Sequence, residues 1–278
     1  MQRPTAKTLP DIQKTPDQRG IAIDEVGVSS IRHPLVLPLR DGGAFSTIAT
    51  ISMRVSLPHH QKGTHMSRFL IALQEKVSEL RPENIDEILE HMLTLLEAEN
   101  AYIDISFPIF LPRPAPVTGL PGLMEYDCLL QGVMTDKGLK EKMIGVVVKA
   151  ASLCPCSKEI SEYGAHNQRS EITIKTRPAD FIWFEDLIDV AERNASCQLY
   201  PILKRPDEKF VTEHAYDNPK FVEDIVRDVA VDLMALKEEG LLHWFFVSSR
   251  NEESIHKHDA YAHIERGDRG PLLSCFTH

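Results

Sequence analysis

MSRFLIALQEKVSELRPENIDEILEHMLTLLEAENAYIDISFPIFL, residues 66 to 111, changes its apolar period once, and that change decides the fold class. In the first part Phe69, Leu70, Ala72, Leu73, Val77 and Leu80 recur at helical spacing, which predicts a helix over 66–80 with one apolar face. Pro82 starts a second helix, since proline suits a first turn whose N–H has no partner. Its stripe is Ile85, Ile88, Leu89, Met92 and Leu96, and it runs to about Asn100. Over 101–111 the pattern becomes that of a strand. Long helices segregated from strands give an α+β architecture.

Working outward, Phe45–Leu57 alternates apolar with small or polar residues and reads as a strand. Strands are also predicted at 122–134 and 139–152, with Gly138 in a link short enough for a hairpin. A loop is expected at 153–167, a strand at 168–176, and helices at 182–195 and 219–239. The strand LLHWFFVSS and a last one near 259–264 follow. Strands, two helices and strands occur twice, which suggests two related halves, although no sequence identity between them is visible. Residues 1–20 are rich in Pro, Gln and Lys without a period and are expected to be a mobile arm.

At 278 residues the chain can bury a full core as one large domain or two fused half-domains, and 42% hydrophobic with 26% charged residues is ordinary for a globular protein. Its formal charge of −10 (31 basic against 41 acidic residues) argues against a nucleic-acid surface. A nucleotide substrate remains compatible, because a few local cations can hold a triphosphate. No apolar run is long enough for a membrane helix, and the first residues show no apolar signal-peptide core, so a cytoplasmic protein is expected. Five scattered cysteines, Cys128, Cys154, Cys156, Cys197 and Cys275, suit free thiols or metal ligands better than a disulfide frame.

Four stretches carry chemistry. In SLCPCSKEISEYGAHNQRS (152–170), Cys154 and Cys156 flank one proline and His166 follows; thiolate and imidazole suit zinc and related ions. No second CxxC or HxxxH pair closes the set, as befits a catalytic site with an open position; two unrelated thiols and a loop histidine are the plainer reading. KRPDEKFVTEHAYD (204–217) gathers acids, among them Glu208 in an expected loop, while Asp217 or Asn218 before Pro219 would serve as an ordinary helix cap. In NEESIHKHDAY (251–261), His256 and His258 point the same way if the segment is extended, and Asp259 could orient one imidazole; a solvated turn is the alternative. SLPHHQKGTHMSRF (56–69) clusters His59, His60, Lys62, His65 and Arg68 at a strand-to-helix junction, a possible anion cradle without the P-loop pattern, or simply a basic helix start.

Taken together these strings, with YPILKRPDEKFVTEHAYDNPKFVEDIVRD and the opening DIQKTPDQRGIAIDEVGVSSIRHPL, resemble GTP cyclohydrolase IB over roughly residues 10–265. The resemblance implies a tunnelling fold: two fused ββααββ-type halves, here roughly 40–153 and 154–265 within a single catalytic unit at 21–278. It also implies a homotetramer with active sites between subunits, and conversion of GTP and water to 7,8-dihydroneopterin triphosphate and formate for folate, pterin or queuosine synthesis. A divalent metal (zinc, manganese or iron) is implied, with Cys154, His166, Glu208 and His256 as ligands and Cys156 and His258 as open alternatives. Cys154, Glu223 and His256 are the implied catalytic residues. Glu223 anchors the guanine edge, and Lys62, His65, Arg68 and Arg169 are candidates for holding the substrate.

Overall fold

The computed structural model describes residues 12, 13, 15–76 and 84–271. Eight strands form one antiparallel sheet in the order β1 (Ile23–Pro38), β2 (Ala44–Leu57), β3 (Asn100–Pro112), β4 (Leu123–Thr135), β5 (Lys140–Leu153), β6 (Asn167–Pro178), β8 (Leu242–Glu252) and β9 (Ala260–Gly267). A two-residue strand, β7 (Cys197–Gln198), pairs with β5. The helices are α1 (Met66–Lys76), α2 (Ile85–Leu96), α3 (Pro155–Ile160), α4 (Phe184–Arg193), α5 (Arg205–Asp217) and α6 (Val222–Glu238). The elements from β1 to β4 read ββααββ. From β5 onward the same order recurs with α3, β7 and α5 added.

Along β3, residues 101, 103, 105, 107, 109 and 111 are all buried, as the alternation requires for a strand with one covered face. The α2 stripe of Ile85, Ile88, Leu89, Met92 and Leu96 packs on that face and is buried as expected. In α1, Phe69, Ala72 and Leu73 are buried but Leu70 is 42% exposed, so the apolar face is narrower than its sequence suggests. Val77, Leu80 and Pro82 lie outside the described residues. α4 and α6 cover the second half of the same face, where Leu187, Ile188, Ile225, Val229 and Leu233 join one continuous core with the α2 stripe. The β4–β5 hairpin forms where expected, with Gly138 at φ 81° and the Thr135 N–H donating to the Leu139 carbonyl.

β1 is absent from the expectations drawn above. Its alternation is broken by register shifts between Ile23 and Val26 and between Val28 and Ile31, with Ser30 at φ 61°, so its apolar residues never hold one phase for long. Pro34 is tolerated because β1 pairs on one side only among the described residues. In the described part of the N-terminal arm, backbone bonds join Asp17 to His60, Lys62 to Thr15 and Gly63 to Gln13.

The joint between the halves is polar and buried. Glu192 on α4 accepts from the Tyr126 hydroxyl at 2.5 Å and the Arg113 guanidinium at 2.9 Å, and burial outweighs these donors to raise its carboxyl above the usual range. On the sheet face away from the core, Tyr102, Val133, Met143, Trp244 and Phe246 form a second apolar cluster. Beside it Arg54 joins Glu25 and Asp104. No described helix is long and apolar enough to cross a membrane.

Candidate active site

β5 delivers Cys154 to the edge of the core. The strand ends at Leu153, and Pro155 then opens α3, with Cys154 as its cap. The Cys154 sulfur accepts the Ser157 N–H at 3.4 Å. The Cys154 N–H donates to the His166 carbonyl, while the Ser157 hydroxyl donates to the Cys154 carbonyl and accepts the His166 N–H, both at 3.2 Å. Cys154 and His166 are therefore fastened together by a single turn, and the stretch expected to be a loop contains the short helix α3. The Nδ1 of His166 meets the Ser254 hydroxyl at 3.0 Å, which leaves Nε2 for a ligand.

Ser254 belongs to the connection between β8 and β9, which also carries His256 and His258. Their rings stack 5.3 Å apart and nearly parallel, so they do share a side, although the segment is bent rather than extended. Asp259 orients neither ring: its carboxylate accepts from Arg250 at 3.3 Å. Glu223 stands in the first turn of α6, which starts at Val222 after the capping residue Phe221, whose N–H is accepted by Asp224 at 3.0 Å. Neither Asp217 nor Asn218 caps that helix. Asp217 ends α5, and the Asn218 amide is spent on the carbonyls of Ala195 and Ser196.

These elements enclose a cavity of about 430 Å³ whose walls include Cys154, Cys156, His166, Glu223, Glu253 and His256. Glu253 had not been singled out. It follows the end of β8 directly and lines the cavity with Asn251, and its carboxylate accepts the Gln168 amide at 3.0 Å. Beneath the cavity Asn251 accepts from Ser170 at 2.5 Å and donates to Ser152 at 3.3 Å. Ser152 in turn donates to the Lys220 carbonyl at 3.1 Å, three residues before Glu223.

Other candidates lie elsewhere in this chain. Glu208 is exposed on α5, not in a loop, and does not line the cavity. α5 was missed because RPDEKFVTEHAYD has almost no apolar stripe. It is held instead by the buried carboxylate of Asp207, which accepts from the N–H groups of Val117, Thr118 and Lys204 and from the Thr118 hydroxyl. Burial opposes that charge, but the donors prevail and hold the carboxyl at about 2. Arg169 is exposed on β6, alternating away from Gln168. His65 and Arg68 line a separate cavity of about 270 Å³, and Lys62 is exposed beside it. Arg68 donates to the Leu95 carbonyl at 2.7 Å, capping α2.

Among the described residues no three His, Cys, Asp or Glu side chains form a ready-made coordination cage. The cavity nevertheless presents two thiols, two imidazoles and two carboxylates to one space, a donor set that several divalent ions accept. A carboxylate at its edge can accept two parallel N–H groups, the pattern on one edge of guanine.

Comparison with known proteins gives the fold and the family. Urate oxidases share the fold: a hyperthermostable mutant from Bacillus sp. TB-90 matches 88% of this chain and all of its own, with a TM-score of 0.52 and 10% identity. The uricase of Arthrobacter globiformis matches 90% of this chain and 97% of its own, with a TM-score of 0.51 and 7% identity. The architecture is the tunnelling fold. A GTP cyclohydrolase FolE2 of Magnetococcus marinus is 51% identical over 261 residues, covering 94% of this chain and 97% of its own. Another, from Methylobacillus flagellatus, is 49% identical over 269 residues, covering 97% and 100%. Residues 9–262 match the model of the family described as type I GTP cyclohydrolase folE2, so the chain belongs to that family.

Proposed function

We propose that the chain hydrolyses GTP, with water, to 7,8-dihydroneopterin triphosphate and formate as a type IB enzyme, and that the Cys154 cavity is where it does so. The observation that carries this is the convergence of Cys154, His166, His256 and Glu223 on one space from three parts of the chain: the turn after β5, the start of α6 and the β8–β9 connection.

Cys154, His166 and His256 would hold a divalent zinc, manganese or iron ion. Such an ion supplies a water acidic enough to attack an aromatic carbon near neutral pH, lowering its pKa from 15.7 toward about 7. Glu223 takes the guanine N1–H and 2-amino group on its two oxygens and so turns C8 toward the thiol. Adenine lacks that donor pair and is rejected, because it would leave the carboxylate unmatched. Of the stacked pair His256 and His258, the ring that is not a ligand would hand a proton to the imidazole nitrogen as the C8–N bond breaks. A second hydrolysis then releases formate, and the ribose carbons close the new ring.

Glu208 completes the ligand set only if a second copy brings its α5 alongside. Likewise His65 and Arg68, with Lys62 beside them, line a different cavity of this chain and would meet a triphosphate held in the Cys154 cavity only from a second copy. We therefore read the active form as a homotetramer with shared sites, each chain from residue 21 onward acting as one bimodular catalytic unit. GTP as substrate is consistent with work in the cytoplasm.

The test is GTP turnover by purified protein, stripped with chelator and resupplied separately with Zn²⁺, Mn²⁺ or Fe²⁺. Formate together with a pterin that fluoresces after oxidation, restored by metal and absent with ATP, is expected. A folded, metal-loaded protein that makes neither product overturns the reading. Light scattering on the same sample tests the tetramer.

A further inference from the structure

Beyond its last strand the chain is steered toward a cavity that the proposed reaction leaves unused. β9 ends at Gly267, after which the Asp268 N–H donates to the His243 carbonyl and the Asp268 carbonyl accepts from Arg177 at 3.0 Å. Arg269 lies over the Trp244 ring and donates to Glu265 at 3.0 Å. Gly270 then packs on Glu141 at φ 85°, so closely that a Cβ there would stand 2.1 Å from a carboxylate oxygen, which only glycine allows. Pro271, the last described residue, therefore leaves from beside Glu141, at the start of β5.

Glu141 also lines a cavity of about 420 Å³. Leu37, Leu130, Ile144, Ile182 and Phe184 form its apolar lining, all of them buried. Phe181 stands at its rim, 55% exposed, with its ring perpendicular to that of Trp183 at 4.5 Å. A void of about 150 Å³ accepts one benzene-sized ring, so this one has room for two or three apolar side chains. The charged groups at its edge are matched among themselves. Lys140 and Lys142 each reach Asp86 at 2.9 Å, Glu141 faces Arg177 at 3.7 Å, and Asp180 accepts the Phe181 N–H at 2.7 Å. What the cavity leaves unmet is apolar surface, not charge.

The residues that follow Pro271, LLSCFTH (272–278), have the matching chemistry. They bring three large apolar side chains, Leu272, Leu273 and Phe276, and contain no Asp, Glu, Lys or Arg, so covering them strands no charged side chain. At about 3.3 Å per extended residue, even the stretch to Phe276 spans roughly 15 Å from a starting point that already touches the cavity wall. We propose that this segment of the same chain is the occupant of the cavity, with Leu272, Leu273 and Phe276 laid against its apolar lining and under Phe181. The cavity shares no lining residue with the Cys154 cavity, so the proposal stands apart from the reading of the reaction.

Cys275 gives a direct readout, because a thiol inside a docked segment is shielded from alkylation. In the intact chain its labelling by a maleimide, located by peptide mass spectrometry, should be about tenfold slower than in the variant Leu272→Ser, Leu273→Ser, Phe276→Ser, where only the free segment remains. That variant should also bind Nile red, an uncharged dye that brightens on apolar surface, at one saturable site per chain, while the wild type leaves it dim. Adding Phe181→Ser to the triple variant should abolish the dye site, whereas adding Tyr163→Ser, which removes a 97% exposed ring elsewhere, should not. Near-ultraviolet dichroism checks that each variant keeps the fold, and the labelling of the wild type needs no variant at the cavity. Equal labelling of Cys275 in wild type and triple variant, or equal dye binding by both, would overturn the proposal. So would a dye site indifferent to Phe181→Ser, which places the uncovered surface elsewhere, or protection lost on dilution, which means that a second copy lends the segment.

Discussion

Asn251→Ala is expected to loosen the floor of the Cys154 cavity, and the cost can be worked from its contacts. Asn251 is 2% exposed, and its partners Ser152 and Ser170 are fully buried. The substitution removes the acceptor of the Ser170 hydroxyl and the donor to Ser152. Two hydrogen bonds at about 1 kcal/mol each, plus an orphaned hydroxyl and a small void, come to roughly 3 kcal/mol. For a chain of this size that lowers Tm by roughly 6–12 °C. Ser170→Ala added to Asn251→Ala should cost less than the sum of the single changes, by about 1–2 kcal/mol, because no stranded donor remains. Urea unfolding of the wild type, both single variants and the double variant gives that cycle. Kinetics add a functional readout: Ser152 also holds the Lys220 carbonyl, so slack there shifts Glu223 and should raise KM for GTP more than it lowers kcat. A single-variant cost below about 0.5 kcal/mol, or strict additivity, would refute the idea that these three side chains act as one brace.

Three further outcomes test the site and the scaffold. Cys154→Ala should lose bound metal, read by elemental analysis, and turnover with it, while the fold persists; wild-type metal content would transfer the role to Cys156. Glu223→Gln should raise KM for GTP and leave metal content unchanged, and loss of metal would make Glu223 a ligand instead. Asp207, whose folded carboxyl sits at about 2 against an ordinary 3.8, contributes stability that is complete above pH 4 and is lost as the pH falls toward 2. Asp207→Asn should therefore flatten the acid limb of an unfolding curve between pH 4 and 2, and an unchanged limb would show that the four donors do not depend on the charge.

The parts of this fold that were legible in the sequence are those whose burial is one-sided and in phase. α2 and β3 announce themselves because every third or fourth residue of one, and every second of the other, meets the same core. β1 does not, because its shifts in register break the every-second-residue spacing of an apolar set that stays on the core face, and α5 does not, because a four-donor carboxylate rather than an apolar stripe secures it. The same distinction governs the site. Cys154, His166 and His256 could be named because thiol and imidazole are rare enough to stand out of a string. Their meeting depends on a backbone bond between Cys154 and His166 and on two hydroxyls, Ser157 and Ser254, which no local pattern reveals.

Glu253, Asn251 and Lys220 were missed for a related reason: they are common residue types whose importance lies in contacts between strands far apart in sequence. Glu208 shows the converse limit. Its motif marks it as a ligand by resemblance, yet within one chain α5 presents it to solvent, outside the cavity that holds Cys154. Either the ligand set closes across two copies, or the metal takes its carboxylate from Glu253, which already faces the cavity. Metal analysis of Glu208→Gln and Glu253→Gln separates these. Metal loss only in Glu208→Gln, recovered when that chain is co-assembled with a Cys154→Ala chain, means the site is shared between copies. Loss only in Glu253→Gln means that one chain closes the set by itself.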